Sequence, residues 1–227
     1  MKRKFIALAI AGCFVSALSH AQIKKGSLLF GGSVGYSSNS QEDVDALDNK
    51  TDRKGKVLVL SPSFAMAVAD NLFVGADLNW EKGKNTTTYP SKIEREANYK
   101  TIGGGVFVRK YWSVVNNLYI FGQGRAGFGS FKNDLTANDA TNVIGYTKGH
   151  TIEASVYPGL SFALSKKVHL ESIFWNLINV EYSKGNDYSK IPNTPETKMR
   201  SYNDLDVSSS FSNSSYFTLG IKVLLSK

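Results

Sequence analysis

The chain of 227 residues holds one cysteine, five prolines and three histidines. The cysteine, Cys13, lies in an N-terminal stretch that reads as a leader, so the rest of the chain has no disulfide and no thiolate metal ligand. Small exported soluble domains commonly lean on disulfides, whereas a closed β-barrel needs none. Past the leader there is no apolar run of the roughly 20 residues that a membrane helix requires. Sustained helical periodicity is lacking too, and no change of composition marks a linker. Only His150 and His169 remain as histidine bases outside the leader. Nucleophilic catalysis needs a base within hydrogen-bond reach of its nucleophile, and no spacing here places one. Charge of one sign is not concentrated anywhere: 27 basic and 19 acidic residues, a net of +8, are spread over many segments. That excludes a nucleic-acid-binding stripe.

The leader has three parts. Lys2-Arg3-Lys4 is a positive n-region, Phe5 to Leu18 is mostly apolar, and Ser19-His20-Ala21 puts small residues where a signal peptidase reads. A signal peptide over residues 1–21 follows, with cleavage between Ala21 and Gln22 and a mature domain over 22–227. Without Lys2, Arg3 and Lys4 the mature chain has 24 basic and 19 acidic residues, a net of +5. Ile10-Ala-Gly-Cys13 resembles a lipoprotein lipobox, but Phe14-Val15 continue the apolar run past it, which favours the site at Ala21.

What the mature chain does have is alternation. From His150 to Leu164, Ile152, Ala154, Val156, Leu160, Phe162 and Leu164 share one parity, against Glu153, Ser155, Tyr157, Gly159, Ser161 and Ala163. A short polar break precedes a second run from Val168 to Tyr182, so the two form a hairpin. Ordinary strands run about five or six residues, while strands crossing a membrane in a barrel need roughly 9–11. The same pattern recurs over Gly26–Ser37, Val57–Ala69, Leu72–Lys82, Tyr99–Trp112, Leu118–Phe131 and Ser214–Leu225. Tight turns such as Asp70-Asn71 alternate with long polar segments at 38–54, 83–98, 132–149 and 183–213. The fold predicted is all-β: an eight-stranded antiparallel up-and-down transmembrane β-barrel, with termini and short turns periplasmic and four long loops outside. Leu60 to Val68 and Val156 to Leu164, each with its following turn, echo one another, as if the two halves were related two-hairpin units.

The second face separates a membrane barrel from a soluble one. In water it would carry many Lys, Glu, Asp and Thr; here it is mostly Gly, Ser, Ala, Tyr and Phe, as suits the narrow lumen of eight strands. Its ionisable residues are Asp77, Arg109, Arg125, Glu153, His169, Glu171 and Lys222. His169, beside a turn, is expected to be solvated. The other six, three acids and three bases, are expected to form a lumen charge network, because buried charges need partners. Glu153 and Glu171 are the expected partners of Arg109 and Arg125. Trp80, Trp112, Tyr119, Phe162, Tyr182 and Phe217 stand toward strand ends, where interfacial aromatic girdles belong. Pro62 and Pro158 sit inside strands, which points to a repeated bulge toward the exterior end, and the seventh strand changes character between Ser172 and Asn176.

Ser61-Pro-Ser-Phe-Ala-Met-Ala-Val-Ala-Asp-Asn-Leu-Phe-Val-Gly75 and Tyr157-Pro-Gly-Leu-Ser-Phe-Ala-Leu-Ser-Lys-Lys-Val168 resemble the small outer-membrane β-barrel family, OmpA/OmpX-like and often described as porin family. The resemblance spans the mature chain and specifies architecture rather than role. It implies a Gram-negative cell envelope, an outer-membrane location, and contact with outer-membrane lipid and lipopolysaccharide. Thr218, Gly220, Val223 and Leu225 resemble the C-terminal signal read by the barrel-assembly machinery, although the usual terminal aromatic is missing before Ser226-Lys227. The domain that grips the cell wall in OmpA-type proteins is not implied.

A monomer with a structural or surface-interaction role carried by the long loops, through an extracellular ligand, is the leading expectation. A small channel for ions or solutes comes next, and a surface lipid-modifying enzyme last. His150-Thr-Ile-Glu153 does not match the His-x-Ser pattern of lipid A deacylases, so no catalysis is expected. No cofactor and no metal are implied either. The acidic run Glu42 to Asp48 lacks the Gly and closing Glu of a calcium loop, and the Asn85-Thr-Thr87 sequon is of a kind common by chance in such composition.

Overall fold

The computed structural model describes residues 23–44, 50–91, 93–137, 140–174, 177–189, 195–209 and 217–225. The signal peptide, its cleavage at Ala21 and Gln22, and Cys13 lie outside them. Ten strands are present: β1 (Leu28–Val44), β2 (Lys50–Ala69), β3 (Leu72–Thr88), β4 (Glu94–Val115), β5 (Leu118–Ala137), β6 (Ala140–Ala163), β7 (Val168–Ile173), β8 (Ile178–Ser189), β9 (Thr197–Ser208) and β10 (Phe217–Leu225). From β1 to β6 each strand pairs antiparallel with the next. β6 then pairs with β7 over Gly159–Ala163 and with β8 over Gly145–Val156, so β7 and β8 are two pieces of one stave. β9 pairs with β8 and β10 with β7, which makes β9 and β10 a second divided stave. Pairing of β10 with β1, from Leu28↔Leu225 to Tyr36↔Phe217, closes the ring. The result is a barrel of eight staves, as the alternation requires. β2 and β6, the echoing segments, are staves two and six and so face each other across it.

Side chains sort by parity. Phe64, Met66, Val74, Leu78, Ile102, Val106, Ile152 and Val156 are exposed on the outer face. Phe73, Phe107, Tyr111, Tyr119, Phe121 and Tyr157 are buried inside, with Leu29 and Leu224. Large apolar residues exposed as a continuous belt, around a core that itself holds charge, make the inverted arrangement of a barrel in lipid. The core lies in the half nearest the short turns, where residues 23–27 fold across the mouth. Ile23 N–H donates to Asn71 Oδ1 at 2.8 Å, Asn71 N–H returns a bond to the Ile23 carbonyl at 2.9 Å, and the Ile23 side chain is buried. Asn71 and Asn117, with φ of 60° and 72°, take the left-handed conformation the two tight turns demand.

Four expectations change. The long polar segments are mostly strand: β2 begins at Lys50, β4 at Glu94, β6 at Ala140, and β9 covers Thr197–Ser208. Polarity there reflects hairpins that stand clear of lipid on both faces, and it does not interrupt pairing. In the first of them, Glu42 and Asp43 pair with Lys50 and Arg53 at 3.1 and 3.4 Å, which ties these two acids of the acidic run into a ladder; Asp45 and Asp48 lie outside the described residues. Second, the prolines lie nearer the short-turn ends of β2 and β6 than the exterior, and they differ. Pro62 leaves a gap in the β2–β3 ladder with no extra residue, since pairing resumes in step from Leu60↔Trp80 to Ser63↔Asp77. Pro158 faces two extra residues in the seventh stave, between Val156↔Ile178 and Gly159↔Ile173. Third, Tyr119 belongs to the interior, its ring 6.2 Å from Tyr111 and 5.7 Å from His169. Trp112, Phe162 and Tyr182 are exposed on the outside. Fourth, His169 is buried, because Tyr119 and Ser161 cover it.

Candidate functional site

The lumen is the candidate site, because the inward parity gathers charge from staves far apart in sequence. Its lower layer is centred on Arg109, which β4 presents between Phe107 and Tyr111 on the same face. Arg109 Nη1 donates to Glu171 Oε2 at 2.6 Å and to the Tyr111 hydroxyl at 3.0 Å, and Nε donates to Gln123 Oε1 at 2.6 Å. The Tyr111 hydroxyl donates to Glu171 Oε1 at 2.6 Å, and Gln123 Nε2 donates to the Tyr157 hydroxyl. The guanidinium also lies 4.3 Å from the centre of the Phe121 ring. Both charged side chains are 3% exposed, so the pair holds only because its polar atoms are satisfied. With Phe73, Tyr119 and Phe121 packed beneath, this layer fills the bore.

One layer higher Arg125 takes two carboxylates. Its Nε and Nη2 reach Asp77 at 2.7 to 3.0 Å, and Nη1 donates to Glu153. Gly105 and Gly127 are needed beside it: a β-carbon there would stand 2.9 and 2.6 Å from the guanidinium nitrogens. Lys222 is separate. It is buried on β10, its ammonium donates to Ser63 Oγ, and no carboxylate lies within ion-pair distance among the described residues. Five of the six expected charges therefore form two clusters, with Lys222 as the single cation that offsets the surplus acid beside Arg125. The sequence reading did not single out Tyr111, Gln123, Tyr157 or Ser63 as partners, although each stands on the inward parity.

Above the plug the lumen opens. A cavity of about 210 Å³ is lined by Lys222, Arg109, Arg125 and Ser63, and one of about 350 Å³ above it by Glu81, Glu181 and Tyr202. Asn79, Arg125 and Glu153 line both. Two serine–histidine contacts exist. Ser161 Oγ is 3.1 Å from His169 Nδ1 in the core, and Ser130 Oγ is 2.9 Å from His150 Nδ1 on the outer face. Neither imidazole has a carboxylate hydrogen-bond partner among the described residues, so neither is oriented as the base of a triad would be. Among the described residues no three metal-ligating side chains gather.

Thr218, Gly220, Val223 and Leu225 occupy β10 in register with β1, opposite Gly35, Ser33, Phe30 and Leu28. They therefore sit at the seam that closes the barrel. Closed antiparallel pairing, an apolar exterior and a charged, filled interior occur together in one setting. The chain is a closed eight-stave β-barrel with the inverted faces of a membrane protein. No protein-family model matches it, and no curated protein matches it. Solved structures similar to it include a major outer membrane protein from Thermus thermophilus, with 9% identity, 91% of this chain and 100% of that one covered, and a TM-score of 0.48. Neisserial surface protein A shares 13% identity over 90% and 99% of the two chains, TM-score 0.44. The outer membrane protein OprG from Pseudomonas aeruginosa shares 14% over 90% and 98%, TM-score 0.43. Likenesses this distant carry no argument about role, and the fold stands on its own strand pairing.

Proposed function

We propose that this outer-membrane barrel is a closed scaffold without catalytic activity, whose role is played outside the membrane by its long hairpins. The observation that carries the reading is the plug. Arg109, Glu171, Tyr111 and Gln123 form one buried hydrogen-bonded layer over packed aromatics, which supports a lumen closed at the short-turn end. Meanwhile the strands run well past the apolar belt: β6 has 24 residues and β4 has 22, where roughly 9–11 suffice to cross. The surplus lies at one end only. In the reading proposed here that end is the cell exterior, where these stiff ribbons meet a ligand, and the barrel-assembly machinery inserts the protein by way of Thr218, Gly220, Val223 and Leu225.

The test is conductance together with binding. Purified barrel in planar bilayers is expected to give no reproducible single-channel steps. Trimming the β5–β6 and β8–β9 hairpins back to the belt is expected to abolish surface binding and leave heat-modifiable migration intact. Regular conductance steps from the wild-type barrel would overturn the reading in favour of a small channel.

A further inference from the structure

Just above the apolar belt, on the outer face, the strand register lines up lysines. Lys82 on β3 is directly opposite Lys100 on β4, Lys100 is opposite Lys132 on β5, and Lys132 is opposite Lys148 on β6. Four like charges thus stand in one unbroken cross-strand row, roughly 14 Å long at ordinary strand spacing. Like charges directly opposite are destabilising in a sheet, and elsewhere on the outer face of these hairpins carboxylates offset them, as Glu96 does where Lys84 faces Lys56. Lys50 pairs with Glu42, Lys84 with Glu96 and Arg200 with Asp187. Within the row only Lys132 has a carboxylate, Asp134 at 2.7 Å. Among the described residues Lys82, Lys100 and Lys148 have none, and all four are exposed.

Their height is set by the row beneath. Trp80, Ile102, Ser130 and His150 are paired across the same four strands, one outward step closer to the belt, roughly 7 Å away. Tryptophan marks the headgroup level, and Tyr146 and Tyr188, stacked at 4.8 Å, flank Lys148 from above. The row therefore stands where lipid headgroups begin, at the end of the barrel that carries the long hairpins.

We propose that Lys82, Lys100, Lys132 and Lys148 form a docking rail for the phosphate groups of outer-leaflet lipopolysaccharide. Three of the four lysines lack an internal counter-charge among the described residues, and a line of lipid phosphates supplies it. The apolar belt below takes the acyl chains of the same molecules. This rests on the outer-membrane reading and names the lipid that the barrel contacts there.

The test uses the full mature barrel, wild type and K82Q/K100Q/K132Q/K148Q, folded into phosphatidylcholine vesicles with and without lipopolysaccharide. Lipopolysaccharide is expected to raise the unfolding temperature of the wild type, and the quadruple variant is expected to lose most of that rise. In phosphatidylcholine alone the variant should be at least as stable as the wild type, since the repulsion is gone. Dephosphorylated lipopolysaccharide and high salt should both shrink the wild-type rise, and glutamine at Lys24, Lys25, Lys166 and Lys167 should leave it intact. An undiminished rise in the quadruple variant, or an equal rise with dephosphorylated lipid, would overturn the rail. Failure of the wild type to insert in any vesicle would instead sink the barrel reading beneath it.

Discussion

Arg109 and Glu171 are 62 positions apart in sequence, yet period-two counting alone puts both inside the barrel. Which acid meets which base is a matter of stagger between strands, and parity does not encode it. That is why Glu153 and Glu171 were legible as partners of the two arginines as a set, while their assignment, and Asp77 on Arg125, emerge only in three dimensions. Tyr111, Gln123 and Tyr157 were legible as inward but not as partners, because hydroxyl and amide groups announce no charge to be neutralised. Removing one member of a buried pair strands the other. Glu171→Ala is therefore expected to cost about 3–5 kcal/mol in denaturant unfolding followed by heat-modifiable migration. Tyr111→Phe, which deprives one Glu171 oxygen of its donor, should cost about 1–3 kcal/mol. A double-mutant cycle of Arg109 and Glu171 should show coupling, whereas one of Arg109 and Arg125 should be close to additive.

At the scale of the element, the belt-crossing parts of the strands were legible and the hairpins above them were not. Alternation is a signal of one wet or lipid face against one packed face, and above the belt both faces of each hairpin are polar. The β3–β4 hairpin shows what holds such a ribbon together. The Lys84 ammonium and the Asn98 amide both donate to the Glu96 carboxylate and hold its pKa below the ordinary carboxylate value. A depressed carboxylate lends stability above its unfolded pKa and loses it as pH falls through the folded one. Amide protection of Thr86, Thr87 and Arg95 should accordingly stay flat from neutral pH through the usual carboxylate range and drop only below it. In Glu96→Gln the drop should be absent, with lower protection at neutral pH. The tight turns behave differently: Asn117→Val, forced to a positive φ, should destabilise the barrel, while Asn117→Gly should be tolerated.

At the scale of the whole molecule, eight staves close with their apolar parity outward, and the Arg109 and Arg125 clusters stand in the lumen over a packed floor, with Glu81 and Glu181 above them. If that floor is what blocks the bore, Tyr111→Ala combined with Phe121→Ala should open measurable conductance in planar bilayers where the wild type shows none. Plug, rail and hairpins all depend on which parity meets lipid, and the absence of cysteine from the predicted mature chain makes that directly measurable. Single Val106→Cys and Val156→Cys variants on the outer face, and Ser155→Cys on the inner, can each be spin-labelled in a folded barrel in vesicles. Labels at 106 and 156 are predicted to be reached by oxygen dissolved in lipid and shielded from a water-soluble nickel relaxant, with the label at 155 immobilised and shielded from both. Equal access of the nickel relaxant to labels at 106 and 156 would contradict a membrane barrel outright.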